Sequence, residues 1–369
     1  MLELKNFYHK FLRFKEKQYF KDVQFWFGVE KAKPTKKQLK EVIRNYELES
    51  FLTFLKNIKD IIYSKNPLEL SRKWACDRWP LYYYLSFLKK QGIITFKRNQ
   101  VQVLKKDLLK FFPAPREEKE IKEILEGKLK MKLPLTAATN FPFKTKTVAK
   151  YDQLPISISS TIFLVKKILE YLPLNKKFLF VGDDDLVSLY LSLTEPKIES
   201  LVVDIDEELL AKIEEISKKF NLRIKTKRVD MTKVRQQNFG GRFIGFLTSP
   251  VYTFEGVQGF VNFGVNHLGP EGGYGFLNLG DEAIGNRILF LEKFFLEKNL
   301  QIEEIISRKV YYPFRITHPE DKIILERLKF FFDENLINTS PLIGASLWIF
   351  NYIPFKVLKP KRQSLYAYF

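Results

Sequence analysis

Cysteine and histidine are almost absent from this chain of 369 residues, which holds one cysteine and three histidines. A lone cysteine, Cys76, excludes an internal disulfide and a cysteine metal cluster, and three scattered histidines argue against a histidine-based metal site. No segment approaches the roughly 20 uninterrupted apolar residues that span a bilayer, and no apolar signal-peptide segment follows Met1. These absences predict a cytoplasmic protein that binds neither a metal nor a membrane.

Acidic residues are scarce in the first part of the chain only. Residues 1–150 hold 34 of the 62 lysines and arginines but 16 of the 43 acidic residues, which leaves 28 basic and 27 acidic residues in 151–369. Nearly all of the net charge of +19 therefore lies in the first part. Such asymmetry indicates two domains with different partners. Either a solvated lysine-rich surface or a surface that contacts nucleic acid would explain it.

Hydrophobic patterning divides the first part into three segments. Residues 1–46 predict a lysine-rich helical extension, and residues 47–105 predict an α-rich, winged-helix-like domain with a hairpin around Arg98-Asn99. The last helix of that domain is too aromatic for a typical reader of the DNA major groove, so a packing or dimerisation module is the alternative to DNA binding. Residues 106–150, rich in proline and lysine, predict a connector.

From residue 151 onward, apolar strands alternate with amphipathic helices. Strands are predicted at 177–181, 198–204, 223–229, 243–248, 273–279, 302–310 and 345–352. This alternation, ending in two consecutive strands, predicts an α/β domain over 151–369 with a Rossmann-like, doubly wound sheet of seven strands. That architecture is shared by methyltransferases and spermidine synthases.

Acidic residues follow the predicted strands at the edge where open α/β sheets bind ligands. Asp204 and Asp206, after the second strand, would accept hydrogen bonds from ribose hydroxyls. Asp230 could accept from an adenine amino group while Met231 packs on the ring. No G-x-G-x-x-G loop is present to cradle a pyrophosphate, which argues against NAD and FAD. The set predicts a site for an adenosylmethionine-type cofactor, although each acid alone could simply cap the next helix.

The first strand of this domain ends in Gly182 followed by three consecutive carboxylates, Asp183, Asp184 and Asp185. Like charges in a row repel one another unless a cation lies among them, and they would also repel the carboxylate of adenosylmethionine. Decarboxylated adenosylmethionine lacks that carboxylate and keeps a protonated aminopropyl arm. Transfer of that arm to an amine needs a base, because a protonated amine has no lone pair. Clustered carboxylates raise one another's pKa, so that one of them can take the proton.

Four segments together resemble the branched-chain polyamine synthases of thermophiles. They are Tyr151-Asp152-Gln153, Gly182-Asp183-Asp184-Asp185-Leu186, Val203-Asp204-Ile205-Asp206-Glu207 and Ser249-Pro250-Val251-Tyr252-Thr253-Phe254-Glu255-Gly256, in this order and spacing. The resemblance covers about residues 50–355. It implies transfer of an aminopropyl group from decarboxylated adenosylmethionine to the secondary amine of spermidine, with methylthioadenosine as the product. It also implies that no cofactor is bound permanently and that the protein is a homodimer.

The resemblance further implies roles for single residues. The three aspartates would contact the amine, with Asp184 nearest the attacking nitrogen. Further contacts to the amine are expected from Ser249, Tyr252 and Glu255, and contacts to the cofactor from Gly182, Gln153, Asp204, Asp206, Asp230 and Met231. Ser249 and Val251 depart from the Asp-Pro-Pro-aromatic motif of the family. Because serine carries no charge, a weaker hold on a cation is expected at this position.

A methyltransferase that acts on an exocyclic amino group of nucleic acid is the alternative. Ser249-Pro250-Val251-Tyr252 resembles the Ser-Pro-Pro-Tyr motif of such enzymes at three of four positions. The serine and the proline-fixed backbone would hold the amino group while the tyrosine stacks on the base, and the basic first part would bind the phosphate backbone. The acidic triplet and the near-neutral second part favour the polyamine synthase.

Overall fold

The computed structural model contains two compact units. The first is formed by Met1–Ile121 with Lys166–Lys176, and the second by Lys122–Val165 with Lys177–Phe369. The structure describes residues 2–29, 51–64, 70, 78–97, 100–112, 114–143, 151, 153–173, 177–231, 243–313, 319–329, 331–335 and 341–354. The predicted boundary between residues 46 and 47 lies outside these ranges. Within them, no helix is long and apolar enough to cross a membrane.

The first unit is mainly helical. Its helices span Leu2–Val29, Phe51–Tyr63 and Arg78–Lys90, and an antiparallel hairpin of β1 (Ile94–Lys97) and β2 (Gln100–Val103) follows. The helical extension and the hairpin were predicted from the sequence. The predicted middle helix near Asn66-Pro67 lies outside the described residues, so the winged-helix interpretation stays a prediction.

Aromatic side chains fill the core of the first unit. Phe11, Phe54, Tyr84 and Phe87 are each at most 1% exposed. The ring centroid of Phe11 lies 4.4 Å from that of Tyr84 and 5.0 Å from that of Phe54. Aromatic contacts of this kind stabilise a core beyond the area that they bury. Two of the aromatic residues in the helix Arg78–Lys90 therefore serve packing, which favours the packing-module interpretation of this helix.

A seven-stranded mixed sheet organises the second unit, as predicted. Its strands are β3 (Lys177–Val181), β4 (Glu199–Asp204), β5 (Ile224–Arg228), β6 (Gly245–Thr248), β7 (Gly273–Leu279), β8 (Leu300–Pro313) and β9 (Pro341–Tyr352), in the spatial order β5-β4-β3-β6-β7-β9-β8. β9 is antiparallel to both of its neighbours, and the other adjacent pairs are parallel. The strand order switches direction between β3 and β6, and ligands bind at such switch points in open α/β sheets.

Two helices precede this sheet, and further helices lie between or after its strands. After residue 115 they span Glu118–Leu129, Ile158–Tyr171, Val187–Thr194, Glu207–Phe220, Phe254–Asn266, Asp281–Ile284, Ile288–Glu297 and Pro319–Leu328. The last of these lies between β8 and β9 and was not predicted from the sequence. β8 and β9 are also longer than the predicted strands 302–310 and 345–352. Every residue of β6 and β7 is buried, as expected for strands that are covered on both faces.

Two glycines of the helix Phe254–Asn266 allow a matched test of this packing. A β-carbon on Gly264 would clash with the Phe246 ring, whereas nothing lies within 4 Å of one on Gly259. We expect Gly264→Ala to lower the free energy of unfolding by roughly 1–3 kcal/mol through overpacking. Gly259→Ala should raise it by up to about 1 kcal/mol, because alanine favours helix. Urea denaturation of both variants measures this; equal effects would contradict the close packing of the helix on β6.

Candidate active site

The turn after β3 has an unusual backbone. Gly182 has φ of 76° and Leu186 has φ of 53°. Glycine adopts positive φ without steric cost, whereas leucine rarely does. The three aspartates, hereafter the acidic triplet, lie between these two residues. The turn therefore concentrates three carboxyl groups at the carboxyl end of β3, next to the switch point of the sheet.

Backbone and hydroxyl donors hold two members of the acidic triplet. Both carboxylate oxygens of Asp183 accept from the Ser188 N–H at 3.3 Å. Asp185 Oδ1 accepts from the Ile156 N–H at 2.9 Å, and Asp185 Oδ2 accepts from Ser249 Oγ at 3.0 Å. Asp183 and Asp185 are both buried. These hydrogen bonds offset part of the free energy lost when the two carboxylates leave water.

Asp184 has a different environment from its two neighbours. Within the described part of the chain, its carboxylate accepts no hydrogen bond from another residue. Its side chain is half-buried rather than buried. Most of its lone pairs are therefore available to a ligand that donates hydrogen bonds.

Burial raises the pKa of all three carboxyl groups of the triplet. It raises the pKa of Asp185 to about 6 against the lowering effect of the two hydrogen bonds that Asp185 accepts. For Asp184, burial is the largest cause, and the charges of Asp185, Asp204 and Asp183 raise the pKa further. Among the residues that the structure describes, no lysine, arginine or histidine lowers the pKa of a triplet carboxyl group. The cluster is therefore suited to receive a cation.

These raised pKa values make the stability of the protein depend on pH. The native triplet binds protons more tightly than the unfolded chain does, so the free energy of unfolding should fall as pH rises from about 4 through 6 and above. Asp184→Asn removes one such group, so its stability should decline less over this range. Thermal unfolding as a function of pH measures the difference. Parallel curves for the two proteins would contradict the raised pKa of Asp184.

A second group of acids lies beside the triplet. Asp204 Oδ2 accepts from the Asp183 N–H at 3.3 Å, and Asp204 Oδ1 accepts from the Asp206 N–H at 2.9 Å. Asp206 Oδ1 accepts from two backbone N–H groups of the following helix, and Asp206 Oδ2 accepts from Gln153 Nε2 at 3.0 Å. The structure thus brings Gln153, Asp204 and Asp206 together with the triplet. Asp206 also caps a helix, the role that the sequence left open as an alternative.

Three of the predicted site residues lie apart from this network. Asp230 and Met231 follow β5 and are half-buried, and Met231 packs against the apolar core of the sheet. Glu255 is exposed in the first turn of its helix. No hydrogen bond of the acidic triplet within the described ranges involves these three side chains. Their roles in the site stay predictions.

A hydrogen-bond chain that was not predicted joins β7 to the triplet. Ser249 Oγ donates to Asp185 and accepts from Asn278 Nδ2 at 2.8 Å. Asn278 is fully buried in β7. An amide within an otherwise apolar, completely buried strand is the signal that could have identified it, because buried polar groups need partners.

Two phenols lie at the same edge of the sheet. The hydroxyl oxygens of Tyr252 and Tyr312 are 2.6 Å apart. Burial, followed by the neighbouring Tyr252 and Asp185, raises the pKa of Tyr312 well above its usual range, so this phenol stays neutral beside the triplet. A β-carbon on Gly280 would lie 2.6 Å from the Tyr252 ring, so glycine makes room for that ring. The sequence predicted Tyr252 as a site residue but not Tyr312.

A family model matches this part of the chain. The family is described as the branched-chain polyamine synthase A C-terminal domain, and the match covers residues 141–325, which is half of the chain. The chain belongs to the branched-chain polyamine synthase family. The matched range includes the whole hydrogen-bonded site, from Gln153 to Tyr312, and it confirms the resemblance found in the sequence.

Proteins of Methanocaldococcus jannaschii and Thermus thermophilus are similar in sequence to parts of this chain. An uncharacterized protein of Methanocaldococcus jannaschii is 38% identical over 138 residues, which cover 37% of this chain and 35% of that protein. The N(4)-bis(aminopropyl)spermidine synthase of the same organism is 32% identical over 106 residues, 28% of this chain and 30% of the relative. The enzyme of that name from Thermus thermophilus is 28% identical over 207 residues, 54% of this chain and 60% of the relative. Each match spans less than two thirds of the relative's length.

Solved structures show the fold of this family. The branched-chain polyamine synthase of Thermus thermophilus, crystallised with N4-aminopropylspermidine and 5'-methylthioadenosine, aligns with a TM-score of 0.50 and 17% identity over 92% of each chain. A mutein of that enzyme with the same two ligands aligns with a TM-score of 0.50 and 18% identity over 82% of this chain and 87% of the mutein. Both alignments support the sheet architecture described above.

Proposed function

We propose that this protein transfers the aminopropyl group of decarboxylated S-adenosylmethionine to the secondary amine of spermidine, giving a branched polyamine and methylthioadenosine. The acidic triplet is the observation that carries the proposal. Its carboxyl groups have raised pKa values and, in the described chain, no cationic side chain beside them. Such a cluster attracts an ammonium group and can accept its proton. The Thermus thermophilus relative, crystallised with an aminopropylated spermidine, supports the choice of substrate.

Asp184 is the proposed base, because it alone in the triplet accepts no hydrogen bond from another residue in the described ranges. It takes the proton from the secondary ammonium of spermidine. The nitrogen lone pair then attacks the aminopropyl carbon next to sulfur, and the carbon–sulfur bond breaks with its electron pair passing to sulfur. The sulfonium becomes the neutral thioether of methylthioadenosine. The product nitrogen is a tertiary ammonium, and the proton on Asp184 passes to solvent.

We place the co-substrate along the carboxyl ends of β3, β4 and β5. Gly182 lets the backbone approach the ligand closely. Asp204 and Asp206 would accept from the ribose hydroxyls, since a carboxylate keeps further lone pairs beyond the hydrogen bonds given above. Gln153 would orient Asp206 through their hydrogen bond. Asp230 and Met231 would contact the adenine.

The amine would lie between the triplet and a largely neutral wall. Tyr252 offers an apolar ring and a hydroxyl to the carbon chain and the nitrogens of a polyamine. Ser249, where the family motif has an acid, offers a hydroxyl without charge. Glu255, exposed at the start of its helix, would meet an outer ammonium group of the amine. Charge is thus concentrated on the side where the attacking nitrogen must lose its proton.

Three further proposals concern the oligomeric state, the location and a nucleic-acid partner of the protein. A homodimer, a cytoplasmic location and contact between nucleic acid and the basic residues 1–150 rest on the sequence and on the resemblance. The charge excess of that segment supports the contact with nucleic acid.

The proposed function is tested by incubating the purified protein with decarboxylated adenosylmethionine and spermidine. The expected products are methylthioadenosine and spermidine that carries one or two additional aminopropyl groups, both measured by mass spectrometry. The branch position follows from NMR of the amine product. Addition at a primary amine would overturn the branched-chain assignment, and absence of methylthioadenosine would overturn the reaction.

A further inference from the structure

We propose that Asn278 and Ser249 are positioning residues, which hold Asp185 in its anionic form and thereby leave Asp184 as the group that takes the proton. This inference rests on the function proposed above and assigns roles within the same site. It concerns a buried amide that no motif of the sequence singled out.

The direction is fixed at Asn278. Its Nδ2 donates to Ser249 Oγ at 2.8 Å, and a hydroxyl has a single proton of its own to give. That proton is directed to Asp185 Oδ2 at 3.0 Å. With the amide reversed, Asn278 Oδ1 would compete for the same proton and Asp185 would lose a donor. The observed orientation leaves Oδ1 buried without a hydrogen-bond partner in the described chain, which is a cost in free energy. This arrangement thus keeps the hydrogen bond from Ser249 to Asp185 and leaves the buried Asn278 Oδ1 unpaired within the described residues.

The donors to the triplet are unevenly distributed. Asp185 accepts from a backbone N–H and from the Ser249 hydroxyl, and hydrogen bonds to a charged carboxylate stabilise the charged form. Asp184, next to it, accepts no hydrogen bond from another residue within the described ranges. Two adjacent carboxyl groups in this arrangement do not ionise independently. The charge therefore stays on Asp185, and a proton that enters the pair resides on Asp184.

The other groups that face Asp184 and Asp185 also favour the proton on Asp184 and the charge on Asp185. On the same turn, Asp183 contributes a further acid; from β4, Asp204 contributes another, and both raise the pKa of Asp184. From β8, Tyr312 contributes a phenol that burial keeps neutral, and its hydroxyl shares a hydrogen bond with that of Tyr252, from the segment after β6. Among the residues that the structure describes, the Ile156 N–H and the Ser249 hydroxyl lower the pKa of Asp185.

The test is an NMR titration of the Asp185 carboxyl carbon in the full-length, ligand-free protein, with the resonance assigned by its loss in Asp185→Asn. The wild-type midpoint is expected near pH 6. Ser249→Ala removes the donor and should move the midpoint up by about one pH unit, the scale of one hydrogen bond to a charged group. Asn278→Ala should move it in the same direction. The double variant should match Ser249→Ala alone, because Asn278 acts through Ser249.

Two further measurements distinguish a positioning role of Asn278 and Ser249 from a purely structural one. Asn351→Ala, which removes another buried asparagine at the opposite end of the β7–β9 pair, should leave the midpoint of Asp185 unchanged. The acid limb of the pH profile of kcat/KM reports the base, Asp184. Because Asp184 and Asp185 titrate as a coupled pair, this limb should also move to higher pH in Ser249→Ala. An unshifted midpoint in Asn278→Ala, or additive shifts in the double variant, would overturn the inference. The titration needs no substrate, so its result tests the roles of Asn278 and Ser249 whether or not the protein makes a branched amine. Absence of a branched amine from the wild-type reaction would overturn the proposed function instead.

Discussion

Replacing Asp184 by asparagine is expected to lower turnover with spermidine by about 10²–10⁴-fold, the usual contribution of a positioned general base. Asparagine has nearly the same shape as aspartate but cannot take a proton from an ammonium group. Binding of methylthioadenosine should stay close to wild type, because the product carries neither the ammonium arm nor a charge at sulfur. Steady-state product formation gives the first quantity and calorimetry gives the second.

Glu199→Gln is the matched control for that variant. Glu199 is an exposed carboxylate at the amino end of β4, the opposite edge of the same sheet. The Glu199→Gln variant should leave both turnover and binding of methylthioadenosine unchanged. An equal loss of turnover and of product binding in Asp184→Asn would show that the triplet contacts the cofactor or serves the fold, and would contradict the assignment of Asp184 as the base.

Decarboxylated adenosylmethionine is expected to bind about 10²–10³-fold more tightly than adenosylmethionine itself. The two molecules differ by one carboxylate, and placing a like charge beside the triplet costs several kcal/mol, where each 1.4 kcal/mol is a factor of ten in affinity. Isothermal titration calorimetry with each molecule measures the difference. The gap should narrow in Asp184→Asn, since one of the repelling groups is then neutral. Tighter binding of the carboxylated molecule would favour the methyltransferase alternative.

Much of the fold could be predicted because its signals are local. The seven strands of the second unit follow from short apolar runs that alternate with amphipathic helices, and the structure contains all seven. The position of the acidic triplet could be predicted because its three aspartates are adjacent in the sequence and come just after such an apolar run. The helix Pro319–Leu328 was missed since its segment has little apolar periodicity and lies between two strands of a sheet edge.

The rest of the site depends on distant pairing. Tyr312 contacts Tyr252 because β8 continues to Pro313 and pairs with β9 beyond a bulge, and no local pattern predicts that register. Asn278 contacts Ser249 because β6 and β7 are parallel neighbours. Neither contact is visible from spacing along the chain. The sequence also could not show that Asp206 uses one oxygen as a helix cap and the other to hold Gln153.

A competition reaction distinguishes aminopropyl transfer to spermidine from methyl transfer to nucleic acid. The protein is given decarboxylated adenosylmethionine, adenosylmethionine, spermidine and a single-stranded oligonucleotide in one mixture, and the mass of each acceptor is measured afterwards. We expect aminopropyl groups on spermidine, together with methylthioadenosine and an unchanged oligonucleotide. A methylated oligonucleotide with unmodified spermidine would contradict it.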